Sequence, residues 1–343
     1  MDIKHLLKRG ALLAAANWPI VAIQFVAETT FQVLLAVPLV GAAILVAVLL
    51  GTDLADLLQG SLREIFTTIA SALLSEPVAL VAFIAAFTVV LCGGFVLMFL
   101  VKGGVVDVML AAHAAAPAIE RAPITFETLR SAYAFTLPRF IEGCSRLFRP
   151  YLALGVLLMI VYAVSVASYV VFIVQGYQIA TGRVLIVGWT VVAAIAAAAL
   201  VGWITLINFL YLLMQIALAV EARTVGEASR LVARFIRAEF RELAGVFVVI
   251  LALVVGATFA SALAWSGVGL IAFVPLVGLA VFPLQIAALL VRGVLFEFLG
   301  ITSIGAYVTL YSAHVSRRAE HLAETAASPL DHPPEVRASA SRT

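Results

Sequence analysis

Three charged side chains stand inside long apolar segments of this sequence. Glu28 interrupts an apolar run over residues 19–50, and Arg292 and Glu297 interrupt another over residues 284–315. A charged side chain inside a membrane costs about 2.5–3.5 kcal/mol on insertion scales, so by default such residues suggest function. If the three side chains met, they would form a polar site within the membrane, suited to a charged ligand.

The spacing of these charges leaves two interpretations open. Arg292 and Glu297 are five residues apart, which is ~7.5 Å along a helix axis and poorly placed for a direct pair. Glu28 on another helix is a possible partner of Arg292. Alternatively, Arg292 and Glu297 face the outer interface and extend their charged ends into water. Asn208, in a fourth apolar run, either joins the polar site or forms a hydrogen bond between helices.

A second charged pattern covers residues 225–243. Ala228, Leu231, Val232 and Phe235 recur at helical spacing, which predicts one apolar side. The opposite side carries four arginines at intervals of four, three and four: Arg230, Arg234, Arg237 and Arg241. We expect an amphipathic helix on the cytoplasmic membrane surface, with these arginines facing anionic headgroups.

Details of this second pattern carry further expectations. Thr224 and Glu227 have the spacing of a capping box at the start of the helix. Glu239 and Glu242 are candidate partners for the arginines. Residues 124–149 and 2–13 repeat the arrangement of a basic segment before an apolar run, which favours three units of basic helix plus hairpin.

No motif of catalysis or cofactor binding accompanies these charges. The five histidines are scattered, and the two cysteines, Cys92 and Cys144, show no metal-ligand or disulfide spacing. Phosphate-binding loops, dinucleotide fingerprints and serine nucleophile motifs are missing from the sequence. We therefore expect no catalytic residue, no cofactor, no metal ion and no nucleic-acid partner.

The composition is that of a membrane protein. Hydrophobic residues make up 64% and charged residues 12% of the chain, and the mean hydropathy is +1.16. Soluble domains have about 45–50% apolar and about 25% charged residues. A helix crosses a bilayer with ~20 apolar residues. Six runs meet this length: 19–50, 78–101, 151–174, 184–220, 243–265 and 284–315.

The distribution of positive charge predicts how these runs are threaded. Eighteen of the twenty-one lysines and arginines fall on one side of a six-span arrangement, whereas Arg63 and Arg183 fall on the other. Positive loops stay in the cytoplasm, so both termini are predicted to be cytoplasmic. A seven-span alternative turns at Arg292–Gly293. Residues 267–282 are short enough to be re-entrant, and the tail 316–343 has a disordered composition.

The end of the last run is similar to a known membrane domain. Residues 310–318 read LYSAHVSRR. With the six-span layout and the arginine-rich segment before the fifth run, this resembles the membrane domain of bacterial glycerophosphodiester phosphodiesterases over about residues 80–318. The resemblance implies a helical bundle in a bacterial inner membrane. It implies no phosphodiesterase activity, because the soluble catalytic barrel of those enzymes is absent.

The sequence thus predicts an all-α integral membrane bundle, comprising six transmembrane helices with amphipathic interfacial helices on the cytoplasmic side. The favoured function is a non-enzymatic scaffold, assembly factor or lipid-interacting protein. The expected partners are membrane lipids and a membrane protein. The alternative is a permease or lipid transporter whose site contains Glu28, Arg292 and Glu297. An intramembrane enzyme ranks third. A transporter requires these charges to converge on a cavity, whereas a scaffold leaves them peripheral or packed.

Overall fold

A computed structural model describes residues 2–50, 75–121, 123–182, 186–221, 224–272 and 277–327. Every regular element within these ranges is an α-helix. In chain order the helices are α1 (Ile3–Ala16), α2 (Trp18–Leu50), α3 (Pro77–Ala115), α4 (Phe126–Ser131), α5 (Leu137–Gly182), α6 (Ile186–Glu221), α7 (Val225–Ala238), α8 (Phe240–Ala272) and α9 (Val277–Ala327).

Six of these helices are long and apolar enough to cross a membrane. The candidate spans are Trp18–Leu45, Pro77–Ala115, Leu137–Thr181, Val187–Glu221, Phe240–Ala264 and Pro283–Ala323. The predicted helical class and the six long apolar helices are therefore confirmed, and their length and composition fit a multi-pass membrane protein.

Several predicted boundaries differ from the observed ones. α3 continues to Ala115, past the predicted end at residue 101, so Lys102 lies within a candidate span. α5 starts at Leu137, whereas the third span was predicted to begin at residue 151, so the basic segment and the span form one helix. Pro150 lies inside this helix, where it removes one backbone hydrogen bond, between the buried side chains of Leu147 and Tyr151.

The last helix also changes two predictions. Arg292 and Gly293 lie inside α9, which has no break there, so the seven-span alternative is wrong. The same helix runs on to Ala327, so the first part of the tail predicted to be disordered is helical. Of the predicted re-entrant stretch, residues 267–272 end α8 and residues 277–282 begin α9. Residues 273–276, the outer loop 51–74 and residues 328–343 lie outside the described residues.

The core occupies one end of the bundle, which we call the packed end. Its buried residues include Leu6 and Leu13 of α1, Phe235 of α7, and Tyr307 and Tyr311 of α9. Towards the opposite end the spans expose large apolar side chains, such as Val164, Ile195 and Leu263. Apolar surface of this kind needs no protein cover in hydrocarbon, so the exposed halves suit a lipid environment.

Glycines allow the closest helix crossings at the packed end. A Cβ atom at Gly10 in α1 would lie 2.4 Å from the carbonyl oxygen of Thr302 and 2.8 Å from the amide nitrogen of Ala306 in α9. At the α3–α5 crossing, a Cβ atom at Gly104 would lie 2.6 Å from the ring of Phe140. Gly104 therefore permits a close approach of α3 and α5 that a larger residue would prevent.

A buried asparagine fixes the link between α1 and α2. The amide nitrogen of Asn17 donates to the carbonyl oxygens of Leu13 and Ala132, both at 3.0 Å. Its side-chain oxygen accepts from the backbone amides of Ala134 at 2.8 Å and Phe135 at 3.0 Å. One side chain therefore satisfies four backbone groups and holds the segment after α4 against the start of α2.

Candidate functional site

Glu28, Arg292 and Glu297 line one cleft. Its volume is about 620 Å³, and its walls come from α2, α8 and α9. Thr29 and Gln32 contribute further polar groups from α2. The structure thus brings together three of the four residues of the predicted polar site, which we call the charged cleft.

The α2–α9 wall of the charged cleft is held by close packing around Arg292. The ring of Phe25 lies so near Gly293 that a Cβ atom there would be 2.4 Å from it. The Arg292 guanidinium lies over the ring of Phe296, 5.7 Å from its centroid, within the range of a cation–π interaction. These contacts place a positive charge on one wall while leaving Arg292 exposed.

The acidic wall contains two neighbouring carboxyl groups. Glu28 and Glu297 are within hydrogen-bonding reach of each other. The amide of Gln32 donates to Oε1 of Glu28 at 3.4 Å, one turn further along α2. Two adjacent carboxylates repel each other, so this wall favours a proton or a cationic ligand between them.

Lys102 is a fourth charge at this site. It comes directly after the apolar run 78–101, where the second span was predicted to end. It projects from α3, close enough to Glu28 and Glu297 to interact electrostatically with both. Its ammonium nitrogen lies 5.5 Å from the centroid of the Tyr211 ring. Glu28, Glu297, Arg292 and Lys102 together carry no net charge when all four are ionised.

An apolar groove adjoins the charged cleft. It has a volume of about 280 Å³ and lies between α8 and α9. Small side chains of α8, among them Ala257, Ala260 and Ala264, form one wall. Arg292 and Phe296 line both the groove and the cleft, so the guanidinium stands at the border between apolar and charged surfaces.

Asn208 lies elsewhere. Its side-chain oxygen accepts a hydrogen bond from the hydroxyl of Tyr162, which joins α6 to α5. Trp203 and Ser165 form a second hydrogen bond between the same helices at 3.0 Å. The interhelical role of Asn208 fits the structure, and this residue takes no part in the charged cleft.

The second predicted site is on α7. Its side carrying Ala228, Leu231, Val232 and Phe235 is buried in the protein core. The opposite side exposes the guanidinium groups of Arg230, Arg234 and Arg237. The helix predicted over residues 225–243 is interrupted at Glu239, so Arg241 is exposed in the first turn of α8 instead. We call these four arginines the arginine face. None of the four has an ion pair or side-chain hydrogen bond among the described residues.

The acidic residues near α7 have other partners than those predicted. Oε1 of Glu239 pairs with Arg317 of α9 at 2.8 Å and lies 3.5 Å from Nδ1 of His314. Thr224 begins α7 but accepts no amide hydrogen, and its hydroxyl instead donates to Glu227 at 3.4 Å, so the predicted capping box is wrong. A capping box is found at α4, between Thr125 and Thr128.

The packed end also contains a buried arginine that the sequence did not single out. Arg9 of α1 donates to Glu120 at 2.9 Å and to the carbonyl oxygens of Ala116 at 2.9 Å and Pro117 at 2.8 Å. It also donates to the ring and the carbonyl oxygen of His113. Arginine at a helix C-terminus satisfies carbonyls that have no partner within the helix, and Arg9 does this for α3 from another helix.

Glu120 responds electrostatically to this contact. Burial of its carboxyl acts to raise the pKa, but its backbone hydrogen bond and the hydrogen bond and positive charge of Arg9 outweigh that effect. The pKa of Glu120 is therefore held below its usual 4.5.

Comparisons with known proteins give this chain no relative. No family model, no curated protein and no solved structure matches it. The resemblance to phosphodiesterase membrane domains therefore stays a prediction. Within the described residues, no group of three histidine, cysteine or acidic side chains is placed to hold a metal ion.

Proposed function

We propose that this protein is a non-enzymatic, lipid-interacting membrane protein, and that the charged cleft and apolar groove together bind one amphiphilic molecule. The observation that carries the proposal is that Arg292 and Phe296 line both cavities. An amphiphile presents a charged head and an apolar tail in the same order. The groove is adjacent to surface that suits lipid tails, which gives the ligand a route from the bilayer.

The order of charges suggests the class of headgroup. In an amine-bearing phospholipid, the phosphate lies between the acyl chains and the terminal ammonium. Arg292 lines both the groove and the cleft, whereas Glu28 and Glu297 line only the cleft. A guanidinium fork matches phosphate geometry. Glu28 and Glu297 would then receive the ammonium. We therefore propose a zwitterionic phospholipid with a primary amine as the ligand of the charged cleft.

A crosslinking experiment tests this assignment. The protein is reconstituted with a phosphatidylethanolamine that carries a photoreactive group in its acyl chain, and labelled residues are located by mass spectrometry. We expect labelling along the groove, at residues 257–264 and 288–295, and competition by unlabelled phosphatidylethanolamine but not by phosphatidylglycerol.

Matched variants make the result specific. Arg292→Gln and Glu297→Gln remove charges of the cleft, and each is expected to reduce groove labelling about tenfold, as expected for a lost charge-assisted hydrogen bond of about 1.4 kcal/mol. Asn208→Ala changes a polar residue of another span outside the cleft and should leave labelling unchanged. Labelling spread evenly over all apolar surfaces, with no effect of the cleft variants, would refute the proposal.

Transport of the ligand is the second candidate function. The convergence of Glu28, Arg292 and Glu297 on an open cleft supports it, because a carrier needs a charged site that its substrate can enter. Reconstituted protein should then accelerate the passage of fluorescent phosphatidylethanolamine between bilayer leaflets, and Glu297→Gln should abolish the acceleration. Binding without acceleration would limit the role to lipid binding.

The arginine face is proposed as a second lipid contact, on the cytoplasmic membrane surface. Three of its arginines lie on the exposed side of α7, which connects two candidate spans, and Arg241 lies at the start of the second of these spans. None of the four has a carboxylate partner among the described residues. Each basic residue near an anionic surface contributes about 1 kcal/mol of attraction. The face would attract anionic headgroups and hold α7 parallel to the membrane.

A further inference from the structure

One arginine of the arginine face differs from the others in its surroundings. Arg234 lines a pocket of about 210 Å³ between α7 and α9, whereas Arg230, Arg237 and Arg241 do not. Arg318 and His314 line the same pocket from α9. We call it the α7–α9 pocket. It is too small for a whole lipid, but its volume suits a single headgroup.

The walls of the pocket are fixed by aromatic packing. The buried ring of Phe235 lies edge-on to Tyr311, with 5.1 Å between ring centroids, and 5.2 Å from the ring of His314. Nδ1 of His314 faces Glu239, which also holds Arg317 at 2.8 Å. The position of His314 is therefore determined by its neighbours before any ligand binds.

The α7–α9 pocket is lined by two guanidinium groups, of Arg234 and Arg318, and by one carboxylate, of Glu221. Arg234 and Arg318 have no ion pair or hydrogen bond within the described part of the chain. The carboxylate that lines the pocket, Glu221, accepts a hydrogen bond from the hydroxyl of Tyr311 at 3.0 Å. The carboxylate keeps its charge and offsets one of the two guanidinium groups, so these three side chains together leave one net positive charge for an anionic ligand.

We propose that the α7–α9 pocket binds one phosphate group, held between the guanidinium groups of Arg234 and Arg318. Two guanidinium groups from different helices can each present paired N–H donors to phosphate oxygens. The pocket is lined by Glu221, the last residue of a candidate span, so an anionic lipid headgroup can reach it from the bilayer surface. The proposal rests on the arginine face as a lipid surface, and it assigns to one arginine a role that the others lack.

The test compares the two pocket arginines, Arg234 of α7 and Arg318 of α9, with Arg230 and Arg237, which lie on α7 but outside the pocket. Full-length protein in detergent is titrated with phosphatidic acid, phosphatidylglycerol or phosphatidylcholine, and bound lipid is counted by native mass spectrometry. Arg234→Gln and Arg318→Gln should weaken binding of the first anionic lipid about tenfold or more, because each removes charge-assisted hydrogen bonds. Arg230→Gln and Arg237→Gln are the matched comparisons outside the pocket, and each should weaken it by no more than about fivefold, the loss expected when one surface charge is removed.

Two further measurements identify the chemistry and its source. Arg234→Lys keeps the charge but lacks the planar fork, so an intermediate loss indicates hydrogen-bond geometry rather than charge alone. Inorganic phosphate at millimolar concentration is added as a competitor. If phosphate leaves lipid binding unchanged, the phosphate group comes from a lipid; if it binds and requires Arg234 while lipid binding does not, the source is soluble.

The outcomes separate the pocket from the surface on which it rests. Equal losses in all four glutamine variants would overturn the pocket while leaving the arginine face as a diffuse lipid surface. Anionic lipid binding that no variant weakens would overturn both. Tight binding of phosphatidylcholine that depends on Arg234 would also overturn the pocket's preference for an exposed anionic phosphate.

Discussion

Arg9 illustrates how a single buried cation can join distant parts of a chain. Its guanidinium has five N–H donors, and the structure gives every donor nitrogen at least one acceptor. Acceptors come from residues 113–120, more than a hundred positions away. A buried charge without partners is costly. Arg9 therefore favours the one position of α1 in which its guanidinium reaches the end of α3.

The acidic partner of Arg9 provides a test by pH. The pKa of Glu120 is lowered below 4.5 in the folded protein, so its ion pair stabilises the fold at every pH above the unfolded pKa and is lost as pH falls through the folded pKa. Glu120→Gln should lower the free energy of unfolding by about 1–3 kcal/mol at neutral pH. The difference from wild type should shrink at more acidic pH than 4.5.

Unfolding by denaturing detergent, followed by circular dichroism across this pH range, measures the effect. Glu127→Gln is the matched control, since Glu127 is an exposed carboxyl of α4 without an ion pair among the described residues. A difference between wild type and Glu120→Gln that stays constant into the acidic range would contradict the assigned role.

Lys102 and Arg9 show why residue roles were only partly predictable. The sequence singled out Glu28, Arg292 and Glu297, because charges inside apolar runs are visible without a structure, and the structure places all three around one cleft. Lys102 directly follows such a run, so a span was expected to end before it. α3 instead continues to Ala115, and the Lys102 ammonium lies over Tyr211 and close enough to Glu28 and Glu297 to interact with both. Arg9 looked like any basic residue before a first span.

At the scale of elements, the crossing of α1 and α9 depends on a missing side chain. The α9 backbone approaches Gly10 so closely that no rotamer change would make room for a methyl group, because the nearest atoms belong to the Thr302 and Ala306 backbones. A Cβ atom added to Gly305 of α9 would likewise lie 3.0 Å from the Cα atom of Gly10. Two glycines thus permit a contact that larger residues would separate.

Gly10→Ala should therefore destabilise the protein by about 1–3 kcal/mol, the usual cost of overpacking. Gly300→Ala, on the same α9 and with open space around the added methyl, should be neutral or stabilise by up to about 1 kcal/mol through helix propensity. Unfolding midpoints of both variants in one detergent give the comparison. Similar midpoints for the two variants would contradict the close crossing.

The ends of helices depend on packing against other helices, which the hydropathy of one segment does not reveal. Apolar content located six spans because each span is long and nearly free of charge. It placed the start of α5 too late, since residues 137–150 alternate basic and apolar positions around Phe140, Cys144 and Leu147, which are buried. Their burial depends on α3, and a partner helix is invisible in one segment's composition.

For the whole molecule, the positive charges predict both termini in the cytoplasm. A reporter fused after Thr343 should be active only if it folds in the cytoplasm, and a fusion before Asp2 should give the same result. The continuous α9 supports the even number of crossings that this requires. A C-terminal reporter active outside the cytoplasm would contradict the six-span threading.

The packing of α1 on α9 sets an order of events during synthesis. Gly10 is seated against Thr302 and Ala306, so α1 cannot reach its final position until the ribosome has made a chain almost three hundred residues longer. At about 5–20 residues per second, that interval is roughly 15–60 s. During it the first helix waits without its partner beside the insertion machinery, and nascent chains stalled before α9 should present α1 to proteases or chaperones that the finished protein excludes.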